Sequence, residues 1–345
     1  MEKGSCGCSG GSPVPIAAIG KPAGPAPALS TRLTWRDVLG GWRVRWGIGR
    51  MRYMISPGLY RVGEPDRQSP VLVTANYKLT IDAVRCELAG LNVWLLVLDT
   101  KGVNVWCAAG KGTFGTCELV RRMEAVKLAD VVDHRNLLLP QLGATGVAAH
   151  EVKRATGFSV RYGPVRARDI GAYLAAGMKA TPEMRRVTFG WKARLVLAPV
   201  ELSETLKPAL LILAALAALY AARHHTLSWH VAADFAPFLA AIAAGGVVTP
   251  LLLPWLPTRV LAVKGTMVGA LCVALALAAF PGGAIETAGT ALLGAAIASY
   301  MGMMFTGSTT FTNLAGARLE VRRALPAIRV CAGIGAVLRV AAAFI

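Results

Sequence analysis

Apolar positions follow two different rules along this chain. Between residues 71 and 176, short apolar runs alternate with longer stretches of mixed polarity, the signature of strands alternating with helices. Val71–Tyr77 (VLVTANY) reads as a strand and Thr80–Leu88 as a helix, with Thr80 at its cap and Asp82 in its first turn. Asn92–Leu98 (NVWLLVL) reads as a second strand, apolar without interruption, as a parallel sheet buried on both faces requires. The pattern continues with a helix over Phe114–Ala129, a strand over Asn136–Pro140 and a helix over Val147–Ala155. A strand over Phe158–Tyr162 and a helix over Ala167–Ala176 complete it. This alternation predicts a small doubly wound α/β domain, whose ligand site lies beyond the carboxyl ends of its strands.

After Lys207 the rule changes. Pro208–Ala222, Val231–Leu253, Val260–Phe280, Ile285–Phe305 and Ala324–Ile345 are apolar stretches. All but the short first one reach the roughly 20 residues that span about 30 Å of hydrocarbon. They predict an all-α membrane domain of five helices. Arg185, Arg186, Lys192, Arg194 and Lys207 precede the first span, Arg259 follows the second, and Arg318, Arg322 and Arg323 follow the fourth. Placing these on the cytoplasmic side leaves the C-terminus outside and the preceding half in the cytoplasm, in the inner membrane of the cell. No apolar run near the N-terminus resembles a cleaved signal peptide. Asp234, Lys264, Glu286, Arg329 and Arg339 fall in or near the spans. Such charges are either functional or snorkel to an interface. With no repeated acid–base relay, the domain reads as an anchor or docking platform, not a transporter.

Residues 1–30, rich in Gly, Pro, Ser and Ala, read as a flexible tail. Its Cys6-Gly-Cys8 is either a soft-metal pair or incidental. Residues 31–70 hold Trp35, Val38, Leu39, Trp42 and Trp46 at helical spacing, with Arg36, Arg43, Arg45, Arg50 and Arg52 between them. That pattern fits an anionic membrane surface, or equally a Trp stripe packed on the next domain. Gly40, Gly41, Gly47 and Gly49 weaken a helix there. The α/β domain is expected over 71–200 and the membrane domain over 201–345.

Composition agrees with this division. The 345 residues are 54% hydrophobic and 16% charged, with a formal net charge of +18. Residues 208–345 hold eight Lys/Arg and three Asp/Glu, so the first 207 residues carry the remaining 29 of 37 basic and 16 of 19 acidic residues. The excess is thus +13 before the divide and +5 after it, which indicates topology and membrane or partner contact and gives no reason to expect nucleic acid.

The candidate chemistry lies after the second strand, in Asp99–Thr116 (DTKGVNVWCAAGKGTFGT). Gly110, Gly112 and Gly115 permit close backbone approach, and Lys111 and Thr113 suit an anion. A phosphate-binding P-loop is excluded, because Val105 and Gly112 occupy positions that need Gly and Ser/Thr. Cys107 reads as a nucleophile, a redox thiol, a metal ligand or a buried inert Cys. His134 and His150 are not placed by any motif to pair with it, and Cys86, Cys107 and Cys117 form no C-x-x-C zinc pair.

Asn104-Val-Trp-Cys-Ala-Ala-Gly-Lys111, extended through Gly-Thr-Phe-Gly-Thr116, resembles the signature of the corrinoid protein of microbial mercury methylation. Leu137–Gly143, Ala149–Lys153, Tyr162–Val165 and Phe305–Thr312 echo it, although Asn313-Leu-Ala departs from the pattern. The likeness covers about residues 70–345, and its cobamide domain is similar to that of the corrinoid iron–sulfur protein of the acetyl-CoA pathway. The resemblance implies a Rossmann-like cobamide-binding domain followed by the membrane helices. It implies a corrinoid-dependent methyltransferase that passes a methyl group from the cobalt of a cobamide to Hg(II), giving methylmercury. A membrane-anchored corrinoid methyl carrier with another main acceptor is the alternative. Cys107 would be the catalytic residue, its thiolate the lower axial cobalt ligand; a thiolate donates more strongly than imidazole. The His-on motif Asp-x-His-x-x-Gly is absent, since Asp133 and His134 are adjacent and Leu137 follows. Asn104, Val105, Trp106, Cys107, Ala108, Ala109, Gly110, Lys111, Gly112 and Thr113 would form a cap helix and loop under the corrin, with Thr74, Thr80 and Ala167 as further contacts. The implied partners are a ferredoxin-like electron donor with two [4Fe–4S] clusters and a methyl-folate or methyl-donor enzyme.

Overall fold

The computed structural model describes residues 26–226, 228–305, 311, 312 and 314–345. Cys6, Cys8 and residues 306–310 of the last echoed motif lie outside the described residues. The described residues form two compact units, 26–44 with 48–187, and 45–47 with those from 188 onward.

The first unit is a mixed five-stranded α/β sheet. Its strands are β1 (Gly58–Val62), β2 (Val71–Ala75), β3 (Val93–Leu98), β4 (Asn136–Leu139) and β5 (Ser159–Tyr162), in the order β1-β3-β2-β4-β5. The last four are parallel, and β1 runs antiparallel along β3, with Gly58 opposite Val97. Around them lie α1 (Trp35–Arg45), α2 (Lys78–Glu87), α3 (Val105–Lys111), α4 (Thr116–Ala125), α5 (Leu128–Val131), α6 (Ala149–Thr156) and α7 (Ile170–Ala175). Strand alternation divides the core between two faces. Val71, Val73, Leu96 and Leu98 pack with Ala108, Phe114, Leu119 and Val152, while Leu72, Leu95, Val97 and Leu138 pack with Ile81, Leu88 and Tyr173. Every residue of β2 is buried, as expected of a central strand covered on both faces.

Several element boundaries differ from the sequence reading. The antiparallel β1 was not anticipated; its pattern of half-buried and buried residues suits an edge strand and is too short to stand out by period. Thr80 is not a cap: α2 begins at Lys78 with Tyr77 at its N-cap, and Asp82 lies beyond the first turn, ion-paired with Lys78 and Arg85 at 2.6 and 2.7 Å. The expected helix over Phe114–Ala129 divides into α4 and α5, because Lys127 takes a left-handed φ of 50°. Ala167 opens a 3-10 turn, Ala167–Asp169, that precedes α7.

The second unit is helical: α8 (Trp191–Leu195), α9 (Ala198–His224), α10 (His230–Ala243), α11 (Thr249–Leu252), α12 (Leu261–Ala279), α13 (Ala284–Met304) and α14 (Leu314–Ala341). Ala244–Val248 form a π-helical turn between α10 and α11. Five helical stretches among the described residues are long and apolar enough to cross a membrane. The first is longer than Pro208–Ala222 because Pro208 is accommodated inside α9. The fifth starts near residue 314, so Arg318, Arg322 and Arg323 lie on a helix and not in a loop. Three of the charges within the unit tie helices together: Arg339 of α14 pairs with Asp234 of α10 at 3.2 Å and with Glu286 of α13. Lys264 is buried, and its Nζ donates to the Leu253 carbonyl at 2.5 Å.

Candidate functional site

In the order β3-β2-β4, the strands that follow β2 and β3 in the chain lie on opposite sides of β2. Such a switch of direction opens a crevice at the carboxyl ends of the strands. A cavity of about 450 Å³ occupies that position. Its wall is built from the ends of the parallel strands and the segments that leave them: Thr74 of β2, Leu139 of β4 and Pro140 after it, Gly163 and Pro164 after β5, and Asn104, Val105 and Trp106 after β3. Thr80 and Ala167 complete it. The structure therefore gathers six of the predicted contacts, Thr74, Thr80, Asn104, Val105, Trp106 and Ala167, around one space. Cys107, Ala108, Ala109, Gly110, Lys111, Gly112 and Thr113 continue along α3 and its exit and are not part of the wall.

Local chemistry explains how α3 is held. Asn104 is its N-cap, and Asn104 Oδ1 accepts the Cys107 N–H at 2.9 Å, one of the donors a helix start leaves without an internal partner. Val105, Ala108 and Ala109 turn into the core, while Trp106 is exposed and Cys107 half-buried as a free thiol. Gly112 ends the helix at φ 81°, a left-handed conformation that glycine adopts without steric cost. Gly115 is needed for a different reason, since a Cβ there would lie 2.8 Å from the Gly112 carbonyl oxygen. Gly110 has no such explanation: it sits near the end of α3 with open space within 4 Å of where its Cβ would be. A helical glycine costs about 1 kcal/mol relative to alanine, and no close contact in the fold requires one at this position.

The loop entering α3 is bracketed from the neighbouring strand. Asn76, buried just after β2, accepts the Thr100 and Gly102 N–H groups through Oδ1 at 3.2 and 3.1 Å, and its Nδ2 donates to Asp99 at 3.3 Å. Thr100 Oγ1 donates to the Val103 carbonyl at 2.6 Å. The Asp99 N–H donates to Glu118 Oε1 at 2.9 Å, and Glu118 is itself paired with Arg122 at 2.7 Å. Burial works against the Asp99 carboxylate, but hydrogen bonds from Lys101 outweigh it and hold its pKa below the usual value. Asn76 escaped the sequence reading because nothing in VLVTANY marks the asparagine as a bracket for a loop more than 20 residues away.

One wall residue is left incomplete by the protein. Thr74 is 2% exposed, and its Oγ1 has no hydrogen-bond partner. Buried polar groups are normally satisfied, and this orphaned hydroxyl belongs to a residue of the cavity wall. The other lining side chains, Leu72, Leu79, Val84 and Ile170 among them, are mainly apolar. Apolar breadth with few polar groups is the usual lining of a ligand pocket.

Residues 50–174 match the family model described as CO dehydrogenase/acetyl-CoA synthase delta subunit. The acetyl-CoA decarbonylase/synthase complex subunit gamma of Methanopyrus kandleri is 39% identical over 123 residues, which is 35% of this chain and 26% of that protein. The equivalent gamma subunit of Methanocaldococcus jannaschii is 34% identical over 35% of the chain and 25% of its own length. The corrinoid/iron–sulfur protein large subunit of Moorella thermoacetica is 31% identical over 35% of the chain and 27% of its own length. The chain thus spans about a quarter of the length of these curated relatives. The matched family region contains β1–β5 and the whole cavity wall and ends before the helical unit begins at Thr188.

Proposed function

We propose that this protein is a membrane-anchored, corrinoid-binding methyl-transfer protein, with a cobamide carried on the α/β unit and Hg(II) as the methyl acceptor. The observation that carries the reading is the placement of α3. The Asn104–Thr113 segment begins on the wall of the cavity at the strand ends, is capped by Asn104 and bracketed by Asn76, and bears Cys107 one residue beyond the wall. The match of residues 50–174 to a family of the acetyl-CoA synthase system, and the likeness to a corrinoid/iron–sulfur protein, support a corrinoid as the ligand.

A cobamide bound here supplies the methyl group, and the residues of this chain set how it is given up. Cys107 would hold the metal through its Sγ, and donation from a thiolate would favour release of the methyl group to an electrophile. Asn104 fixes the first turn of α3 and with it the direction of the thiolate. Thr74, Thr80, Val105, Trp106 and Ala167 would shape the mainly apolar wall against the ligand. Gly110 leaves room on α3, and Lys111 and Thr113 meet peripheral anionic groups. The helical unit is the anchor, with the α/β unit in the cytoplasm, where a ferredoxin-like protein with two [4Fe–4S] clusters and a methyl-folate or methyl-donor enzyme can reach it.

A second reading rests on the names of the relatives: a corrinoid methyl carrier of one-carbon metabolism whose main acceptor is not mercury. Purified anaerobically in detergent, the full chain is expected to carry a cobamide whose absorbance changes in Cys107→Ala. Reconstituted with a reduced two-cluster ferredoxin and a methyl donor, it is expected to form methylmercury, and Cys107→Ala to form none. Full methylation by Cys107→Ala removes the axial-ligand role. Cobamide binding without methylmercury from the wild type selects the second reading.

A further inference from the structure

The face that α1 leaves uncovered is inverted with respect to an ordinary surface helix. Its polar side is the one held against the domain. The Asp37 carboxylate accepts from the Thr34 N–H at 2.8 Å and pairs with Lys78 at 2.6 Å and Arg85 at 2.7 Å. Arg85 also donates to the carbonyls of Ser30 and Arg32 at 2.7 and 3.0 Å. The Tyr53 hydroxyl donates to the Asp37 carbonyl at 3.3 Å, and a Cβ on Gly40 would lie 2.5 Å from that hydroxyl oxygen. Gly41 and Val44, on the same side, are buried. The helix is therefore clamped in one rotational setting.

That setting turns the large apolar side chains outward. Trp35, Trp42 and Trp46 are 70%, 58% and 44% exposed, and Leu39, Ile48 and Met51 are exposed with them. Contiguous apolar exposure of this kind marks an interaction surface. Arg36, Arg43 and Arg52 are exposed in the same segment, and Arg45 and Arg50 are partly so. Among the described residues no Asp or Glu forms an ion pair with any of these five arginines, while Asp37, the acid within the segment, is consumed by the clamp. The surface is thus aromatic and uniformly positive.

We propose that α1 and the turns through Arg52 lie on an anionic phospholipid surface, with the Trp and Leu side chains among the lipid headgroups and the arginines on their phosphates. Tryptophan beside arginine is the composition that membrane–water interfaces favour. The same chain carries five helical stretches of membrane length, so a bilayer is tethered to this segment by the backbone itself. This proposal does not depend on the identity of the ligand in the cavity.

The full chain reconstituted in nanodiscs of phosphatidylcholine with phosphatidylglycerol tests it, with lipids brominated near the headgroup end of their acyl chains as quenchers of Trp fluorescence. The chain has eight Trp, so the contribution of this segment is read as the difference between wild type and a Trp35→Phe, Trp42→Phe, Trp46→Phe variant. The variant is expected to lose a substantial part of the quenching, with unchanged circular dichroism. Arg36→Gln, Arg43→Gln, Arg52→Gln is expected to reduce quenching in phosphatidylglycerol discs and to leave it unaltered in pure phosphatidylcholine. Equal quenching of wild type and the Trp variant overturns the proposal. So does protection of these tryptophans that develops only when an acidic ferredoxin is added, which would make the face a protein-docking surface.

Discussion

The two units differ in where their large apolar side chains lie: the helical unit buries some, such as Phe238 and Phe305, but leaves many outside. In the α/β unit, large side chains such as Phe114, Leu119, Leu96 and Phe158 fill the interior. In the helical unit the long apolar chains, among them Leu211, Leu271, Leu275 and Val337, are exposed, while Gly265, Gly269, Gly294, Ala298 and Gly302 lie inside. Water makes the first arrangement favourable by expelling apolar area. Hydrocarbon removes that incentive, and helices then associate through small residues that let backbones approach. The contrast teaches that the two halves answer to different solvents, and it places α1, polar side in and Trp side out, with the helical unit in character although its clamp belongs to the α/β unit.

Substitutions of the same chemical kind should therefore act differently in the two units. The largest effect is expected from Gly265→Leu, because a Cβ at this position would stand 2.3 Å from the Ala298 carbonyl oxygen, forcing α12 and α13 apart. Loss of a monodisperse detergent-solubilised peak in size-exclusion chromatography checks it; a normal peak would mean that close approach is not what holds these helices. Phe114→Ala, in contrast, removes a fully buried ring from the α/β core and is expected to cost about 3–5 kcal/mol, read from denaturant unfolding of that unit. Asn76→Ala leaves the Thr100 and Gly102 N–H groups without their acceptor, at about 1–3 kcal/mol. It should also raise hydrogen exchange over residues 99–104 and weaken corrinoid retention; unchanged exchange would remove its bracketing role.

The Asp37 clamp adds a dependence on pH. Burial opposes its ionised form, but the hydrogen bonds from Lys78, Thr34 and Arg85 prevail and hold its pKa well below the usual 3.8. A carboxylate with a lowered folded-state pKa contributes fully above the unfolded value and loses that contribution as pH falls through the folded one. Asp37→Asn should therefore lower the thermal midpoint clearly at pH 7, with the gap from wild type closing as the pH drops below about 4. A gap independent of pH would rule out the charge as its cause. The smallest effect is expected for Gly110→Ala: up to about 1 kcal/mol of added stability in the ligand-free chain, together with weaker corrinoid binding. A gain in stability without a loss of binding would mean that no ligand approaches α3 at that point.

Much of this was legible from residue order. The Asn104–Thr116 segment stood out by its glycines and its single cysteine, and the structure places its start on the cavity wall. The cap by Asn104 follows from the side-chain chemistry of asparagine before a helix. Thr80 lines the cavity, but it is not the cap that its side chain suggested, because α2 starts two residues earlier, at Lys78, which pairs with Asp82 one turn on. The unpaired Thr74 hydroxyl could not be foreseen, since satisfaction of a buried group depends on what packs around it.

Residue order by itself determined the period of the central parallel strands and of the long apolar helices, and the unusual run of glycines around Cys107. These are local properties, set by which face of a helix or strand is apolar and which backbone angles a residue tolerates. Only the tertiary structure decided the strand order β1-β3-β2-β4-β5, the gathering of four strand exits around one cavity, the bracket that Asn76 places on the loop before α3, and the outward setting of the α1 tryptophans. Each of these depends on a contact between segments far apart in the chain, and periodicity states that a face must be covered without stating by what.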